Sequence, residues 1–117
     1  MVVKMKNIVV FVRDFEAARR FYQDQLGLPL SQKTETMMEF FPGQAPTFGV
    51  AVALHEAAQK LVGRHTGVTL AVDGLDELCA RLTEAGAHFT EPLERTPWGK
   101  MAVVADPDGN EFALTEG

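Results

Sequence analysis

Asp106-Pro107-Asp108-Gly109-Asn110 stands between two apolar stretches, residues 100–105 and 111–115. Pro107 fixes its own φ, and Gly109 and Asn110 tolerate the positive φ that a chain reversal needs. The run reads as a tight connection between two antiparallel strands. On its own such a run specifies a turn and no chemistry. Its weight comes from what precedes it, because the chain is built twice around the kind of unit this turn closes.

Residues 2–12 are rich in β-branched side chains and predict a strand. Ile8, Val10 and Val12 fall on one face, and Asn7, Val9, Phe11 and Arg13 on the other. Asp14 is placed to cap a helix on which Phe15, Ala18, Tyr22 and Leu26 recur at helical spacing, with Phe21-Tyr22 expected in the core. Gly27 is the expected terminating glycine, and Pro29 blocks continuation. Residues 30–33, 37–41 and 48–54 predict three short strands, with Pro42-Gly43 and Pro46 marking the last connection. Glu39 in the second of these faces either solvent or a pocket. Residues 56–64 read as a connector with a helical turn. The second half repeats the order: a strand at 65–72, a helix capped by Asp73 and closed by Gly86, then strands at 88–93, 100–105 and 111–115. Ile8 to Phe15 lies over Val68 to Leu75 at an offset of sixty residues, with matching apolar positions.

The expected fold is therefore α+β: two βαβββ modules in tandem, residues 1–55 and 65–117, joined by a connector at 56–64 within one domain spanning 1–117. Each sheet would carry its helix on one face. The uncovered faces would form a curved mixed sheet with a concave cup, the helices lying outside, and a cup is where a ligand belongs.

Composition narrows the function. The 117 residues are 46% hydrophobic, enough for a real core. A net charge of −5 argues against nucleic acid as a partner, since phosphate binding needs a basic face, and mildly favours a cationic ligand. The single cysteine, Cys79, excludes an intrachain disulfide and a thiolate metal cluster. It reads as a small buried helix residue. Ser31 is the sole serine and has no nucleophile motif around it, and no phosphate-cradling glycine loop is present. The longest apolar run is too short for a bilayer and no leader pattern is evident, so the expectation is a cytoplasmic protein with no membrane partner.

Val10–Asp14 leading into Phe21-Tyr22, then Leu26-Gly27-Leu28, Val72-Asp73-Gly74-Leu75 and Asp106 to Asn110, in this order and spacing, resemble the vicinal oxygen chelate superfamily. That superfamily includes glyoxalases, extradiol dioxygenases, fosfomycin-resistance enzymes and bleomycin-binding proteins. The resemblance covers nearly the whole chain. It implies paired βαβββ modules, a metal or ligand site in the cup, and often a homodimer. It also implies metal ligands at Asn7, Gly67 and Ala113, with a further ligand available from the strand at 48–54, which here is apolar or glycine throughout. Asn is a poor transition-metal ligand, and Gly and Ala have no donor side chain. His65 and Glu111 lie two residues before Gly67 and Ala113, a step that keeps each on the same sheet face. They are the alternative metal pair, for Zn, Ni or Mn. His55 and His88 are expected at the surface. Pro97-Trp98-Gly99 resembles the same run in members that bind antibiotics without metal. There it implies a Trp at the cavity mouth stacking on a flat ligand. The residue alone is equally suited to cover the core edge.

The expected function is thus a metal-free, cofactor-free small-molecule binding protein, a homodimer that sequesters a partly aromatic ligand such as an antibiotic. The expected ligand-binding residues are Asn7, Val9, Phe11, Ala51, Thr69, Trp98, Glu111 and Ala113, and no residue is assigned a catalytic role. The alternative is a metal-dependent glyoxalase-type lyase or isomerase using His65 and Glu111. A third reading is a structural module whose cup is filled by its own side chains.

Overall fold

The computed structural model describes residues 1–117, which divide into two compact units, Met1–Val62 and Gly63–Gly117. The first contains β1 (Asn7–Val12), α1 (Phe15–Arg19) running into a π-helical stretch (Arg20–Gln25), β2 (Leu30–Lys33), β3 (Met37–Phe40), β4 (Thr47–Val52) and the short α2 (Glu56–Gln59). The second contains β5 (His65–Val72), α3 (Leu75–Glu84), β6 (His88–Thr96), β7 (Gly99–Ala105) and β8 (Glu111–Glu116). Each unit folds one four-stranded mixed sheet, in the orders β1-β4-β3-β2 and β5-β8-β7-β6. Within each, the first and last strands pair in parallel and the other pairs are antiparallel. This is the expected tandem βαβββ architecture.

Strand alternation decides which sheet face is covered. In the first unit Val10, Val12, Met38, Phe40, Phe48 and Val50 are buried on the face that meets the helix. Tyr22 is the keystone: its ring centroid lies 6.4 Å from that of Phe40, 5.8 Å from Phe48 and, edge-on, 5.0 Å from Phe21. In the second unit Leu75, Leu78 and Leu82 of α3 are buried together with Ala102, Val104, Phe112 and Leu114 of the strands. Burying one such side chain contributes about 1.5–3 kcal/mol.

The two helices depart from expectation in different places. Asp14 caps the first as anticipated, accepting from the Ala17 N–H at 3.0 Å. The helix then widens into a π turn, with the Leu26 N–H donating to Phe21 O at 2.8 Å. Asp73 does not cap α3. Gly74 occupies that position with φ 83°, and the carboxylate of Glu116, at the end of β8, accepts from the Gly74 and Leu75 N–H groups at 3.0 and 3.1 Å. A residue far along the chain reaches the exposed donors better than the neighbouring side chain. Gly86 closes α3 as expected: its N–H donates to Thr83 O and the Ala87 N–H donates to Leu82 O, the six-to-one pattern that relieves a helix C-terminus.

The Asp106–Asn110 turn joins β7 to antiparallel β8, and Gly109 alone uses positive φ, at 87°. Asn110 has a different task from the one its turn propensity suggests. Its side chain is fully buried, donates to Asp106 Oδ2 at 2.9 Å and accepts from the Gly63 N–H at 2.9 Å. Asp106 Oδ1 in turn accepts from the Asp108 and Asn110 N–H groups. The turn is a closed hydrogen-bonded knot that also ties down the start of its own unit.

Candidate functional site

The face of each sheet opposite its helix is the natural place for a ligand, and strand register fixes what lies there. On the first sheet Asn7 pairs with Thr47, Val9 with Gly49 and Phe11 with Ala51. The same rows continue through Glu39 and Met37 of β3 to Gln32 of β2. Four of the expected site residues, Asn7, Val9, Phe11 and Ala51, therefore share this face. Val9, Phe11 and Ala51 are half-buried, and Asn7 is exposed. Glu39 is half-buried too, with its Oε1 3.4 Å from Gln32 Nε2.

On the second sheet Thr69, Ala113, Val103 and Glu91 form one row, and Ala71, Thr115, Met101 and Glu94 the next. Glu111, two residues before Ala113, opens the same face, and its Oε1 accepts from Thr90 Oγ1 at 3.1 Å. Thr69, Glu111 and Ala113 are thus brought together. Trp98 is set apart from them. It forms the tip of the β6–β7 hairpin with Pro97, is 89% exposed, and has its N–H held by Thr96 Oγ1 at 3.1 Å. It does not cover the core edge of its own chain.

The charge pattern of these faces escapes the sequence reading. Every charged side chain at a registered position of either helix-free face is a carboxylate: Glu39, Glu91, Glu94 and Glu111. The cations of the same strands go elsewhere. Lys33 pairs with Met38 on the helix face, and Lys100 bridges to Asp76 of α3 at 2.9 Å. The obstacle is the bulged path of β6, whose register slips twice between Phe89 and Glu94 and so breaks the two-residue period from which Glu91 and Glu94 would be placed.

The residues present do not fit a metal centre. Asn7, Gly67 and Ala113 offer one weak donor among three positions. His65 pairs with Glu111 across the parallel strands, but its Nδ1 lies 3.3 Å from the Glu111 carbonyl oxygen while the Glu111 carboxylate turns to Thr90. No three His, Cys, Asp or Glu side chains are grouped to hold a metal ion anywhere in the chain. His55 and His88 are exposed, as expected.

On the helix side of the second unit, an open groove of about 280 Å³ runs between α3 and β6 beside Cys79, Phe89 and Leu93. It includes none of the expected ligand residues. Burial, reinforced by the Asp76 carboxylate, pushes the Cys79 thiol pKa up and keeps it protonated, the reverse of what a nucleophile needs. No helix is long and apolar enough to cross a membrane.

Known proteins of similar structure share this architecture along their whole length. A member of the glyoxalase/bleomycin resistance protein/dioxygenase superfamily from Sphaerobacter thermophilus superposes with a TM-score of 0.78 at 30% identity, covering 99% of this chain and 98% of its own. TnmS3, an antibiotic binding protein from Streptomyces sp. CB03234, gives 0.72 at 27% identity over 98% and 96%. A glyoxalase/bleomycin resistance protein from the same Streptomyces strain gives 0.73 at 29% identity over 95% and 98%. No curated protein matches the sequence. The family model of the Glyoxalase/Bleomycin resistance protein/Dioxygenase superfamily matches residues 4–114, and the chain belongs to that superfamily.

Proposed function

We propose that this protein binds and sequesters a small, partly aromatic, basic molecule such as an antibiotic, without metal and without covalent chemistry. The observation that carries the reading is the content of the helix-free sheet faces. They combine half-buried apolar side chains with carboxylates as their only charges, and they lack a grouped set of metal donors. Such a surface offers apolar burial for affinity and fixed negative charge for a cation. The proposed ligand-contacting residues are Asn7, Val9, Phe11 and Ala51 on the helix-free face of the first sheet and, on the second unit taken by itself, Thr69, Glu111 and Ala113 on the sheet face and Trp98 at the hairpin tip. Asn7 on the first sheet and Glu111 on the second are the hydrogen-bonding groups each face offers a ligand, and the exposed indole of Trp98 offers a stacking surface for a flat one. The likeness to TnmS3, an antibiotic binding protein, supports the same reading.

The working state is a homodimer in the cytoplasm. Val2, Val3, Met5 and Leu54 are exposed in the single chain and are the apolar surface a second copy would cover. Light scattering behind size exclusion tests this, and a monomer at micromolar concentration overturns it.

Two measurements test the binding reading. Elemental analysis after equilibration with Zn²⁺, Ni²⁺ and Mn²⁺ should find no retained metal. Titration with bleomycin as a basic aromatic probe should quench Trp98 fluorescence, with weaker binding in Glu111→Gln. Near-stoichiometric metal that is lost in His65→Ala would instead establish a metal-dependent lyase or isomerase.

A further inference from the structure

β5 departs from a regular strand where the superfamily would place a metal ligand. Between His65 and Thr69 it runs two residues longer than the facing segment of β8, Glu111 to Ala113. Gly67 lies inside that excess with φ 76°. Thr66 staples the bulge from both sides. Its Oγ1 donates to the Glu111 carbonyl oxygen at 2.8 Å and accepts from the Val68 N–H at 3.1 Å. His65 Nδ1 approaches the same carbonyl oxygen.

A side chain at residue 67 would meet an obstacle in the backbone and find no support around it. A positive φ strains any residue that carries a Cβ, by about 1–2 kcal/mol. A Cβ at that position would also contact nothing within 4 Å. Gly49 shows the contrast. It sits on a regular stretch of the first sheet, and a Cβ there would lie among its neighbours, 3.3 Å from Met37 Cε and 3.5 Å from Val9 Cγ2. A side chain at 49 would be held among its sheet neighbours, whereas one at 67 would have no neighbour to hold it.

We infer that the metal corner of the second module is closed in the backbone and not merely stripped of donors: the Thr66-stapled bulge keeps residue 67 from serving as a ligand even when it is given an imidazole. The inference rests on the metal-free reading above, and the two fail separately. Metal retained by the unaltered protein defeats that reading. Metal gained only when donors are restored defeats this inference.

The test restores the donors. Ala113→Glu, the pair Gly67→His/Ala113→Glu and the triple Asn7→His/Gly67→His/Ala113→Glu are equilibrated with Zn²⁺, Ni²⁺ and Mn²⁺, desalted, and analysed for metal. The triple variant should retain no more metal than Ala113→Glu alone. Near-stoichiometric metal that requires Gly67→His overturns the inference. A parallel measurement stands even if the triple variant does not fold. Gly67→Ala should shift the unfolding equilibrium toward the unfolded state by roughly five- to thirty-fold, and Gly67→Asn by less, because Asn tolerates the left-handed region. Gly67→Ala as stable as the unaltered protein overturns the inference as well, since the backbone would then accept a ligand-bearing residue. In a Thr66→Val background, with the staple cut, the Gly67→Ala penalty should shrink.

Discussion

The two modules share an element order but are held together differently. The first rests on interlocked aromatic rings: Phe21, Tyr22, Phe40 and Phe48 lie with centroids between 5.0 and 6.4 Å apart. Its last hairpin turns at the surface. Phe41 at φ 68°, Gly43 at φ 76° and a cis Ala45–Pro46 bond form an exposed connection closed by one backbone bond of 3.2 Å. The second module has a mainly aliphatic core of leucines and alanines around the one buried ring of Phe112, and its corresponding turn is the buried Asp106–Asn110 knot. One duplicated topology can thus be specified by apolar packing in one copy and by buried polar bonds in the other.

The largest effects should come from the cores. Phe40→Ala should lower unfolding free energy by about 4 kcal/mol and Leu82→Ala by about 3 kcal/mol, since each leaves a cavity in a fully buried site. Urea unfolding measures both. An equal or larger cost for Leu82→Ala would remove the claim that the rings dominate the first module.

The turns come next. Asn110→Ala should cost about 2–3 kcal/mol, because it removes the fully buried amide that bonds both Asp106 Oδ2 and the Gly63 N–H. Gln44→Ala, at the exposed connection of the first module, should stay within about 0.5 kcal/mol of the unaltered protein. Comparable values in the same unfolding series would break the contrast between the two hairpins.

Helix starts sharpen the comparison at smaller scale. Asp14→Ala and Glu116→Ala should each cost about 1 kcal/mol, the usual value of a lost cap. Their footprints should differ. Amide hydrogen exchange should quicken at Ala17 in the first variant and at Gly74 and Leu75 in the second, the groups each carboxylate accepts from. Exchange at Gly74 and Leu75 unmoved by Glu116→Ala would show that water caps α3.

These cases mark what the sequence makes legible. Strands and helices are readable because period-two and helical spacing are local. The same locality let the Asp106–Asn110 run be recognised as a turn, and the shared face of Asn7, Val9 and Phe11 follows from alternation. The Glu116 cap, the Asn110 latch and the β5 and β6 bulges are not local, since each depends on a partner strand or on residues more than forty positions away. The π-helix is an intermediate case with a signal that was there to be found. The repeat matches at an offset of sixty at Asp14 and Gly74 but at fifty-nine at Gly27 and Gly86. The first helix therefore carries one extra residue, and a π turn is how a helix absorbs one. Deleting Gln23, whose Oε1 is buried without a hydrogen-bond partner, should restore α geometry. Stability should stay within about 1 kcal/mol, because the lost π turn is offset by the removal of an unsatisfied polar atom. Failure of the deletion variant to fold would mean that the π turn is required to seat Tyr22.

The smallest effect separates the modules by pH. At the offset of sixty, Arg19 corresponds to Cys79. Arg19 is a surface cation, 2.9 Å from Glu16 and 3.0 Å from Asp24. Its hydrogen bond holds the Glu16 carboxyl below the ordinary range. A carboxylate with a depressed folded-state pKa contributes stability above its unfolded pKa and loses it as pH falls through the folded value. Cys79 has the opposite sign. Burial, then the Asp76 carboxylate, raises its thiol pKa. Its contribution is complete below the unfolded thiol pKa and declines as pH rises toward the folded one. Acid should therefore loosen the first helix before the second, and alkali the second before the first, with the acid effect shrinking in high salt because the Glu16–Arg19 pair is exposed. Hydrogen exchange or resolved NMR shifts of the two helices across pH 3 to 10 would follow each process. Cys79→Ala should abolish the alkaline component and leave the acid one unchanged. An alkaline response that survives Cys79→Ala would mean that some group other than this thiol sets the upper limit of the second module.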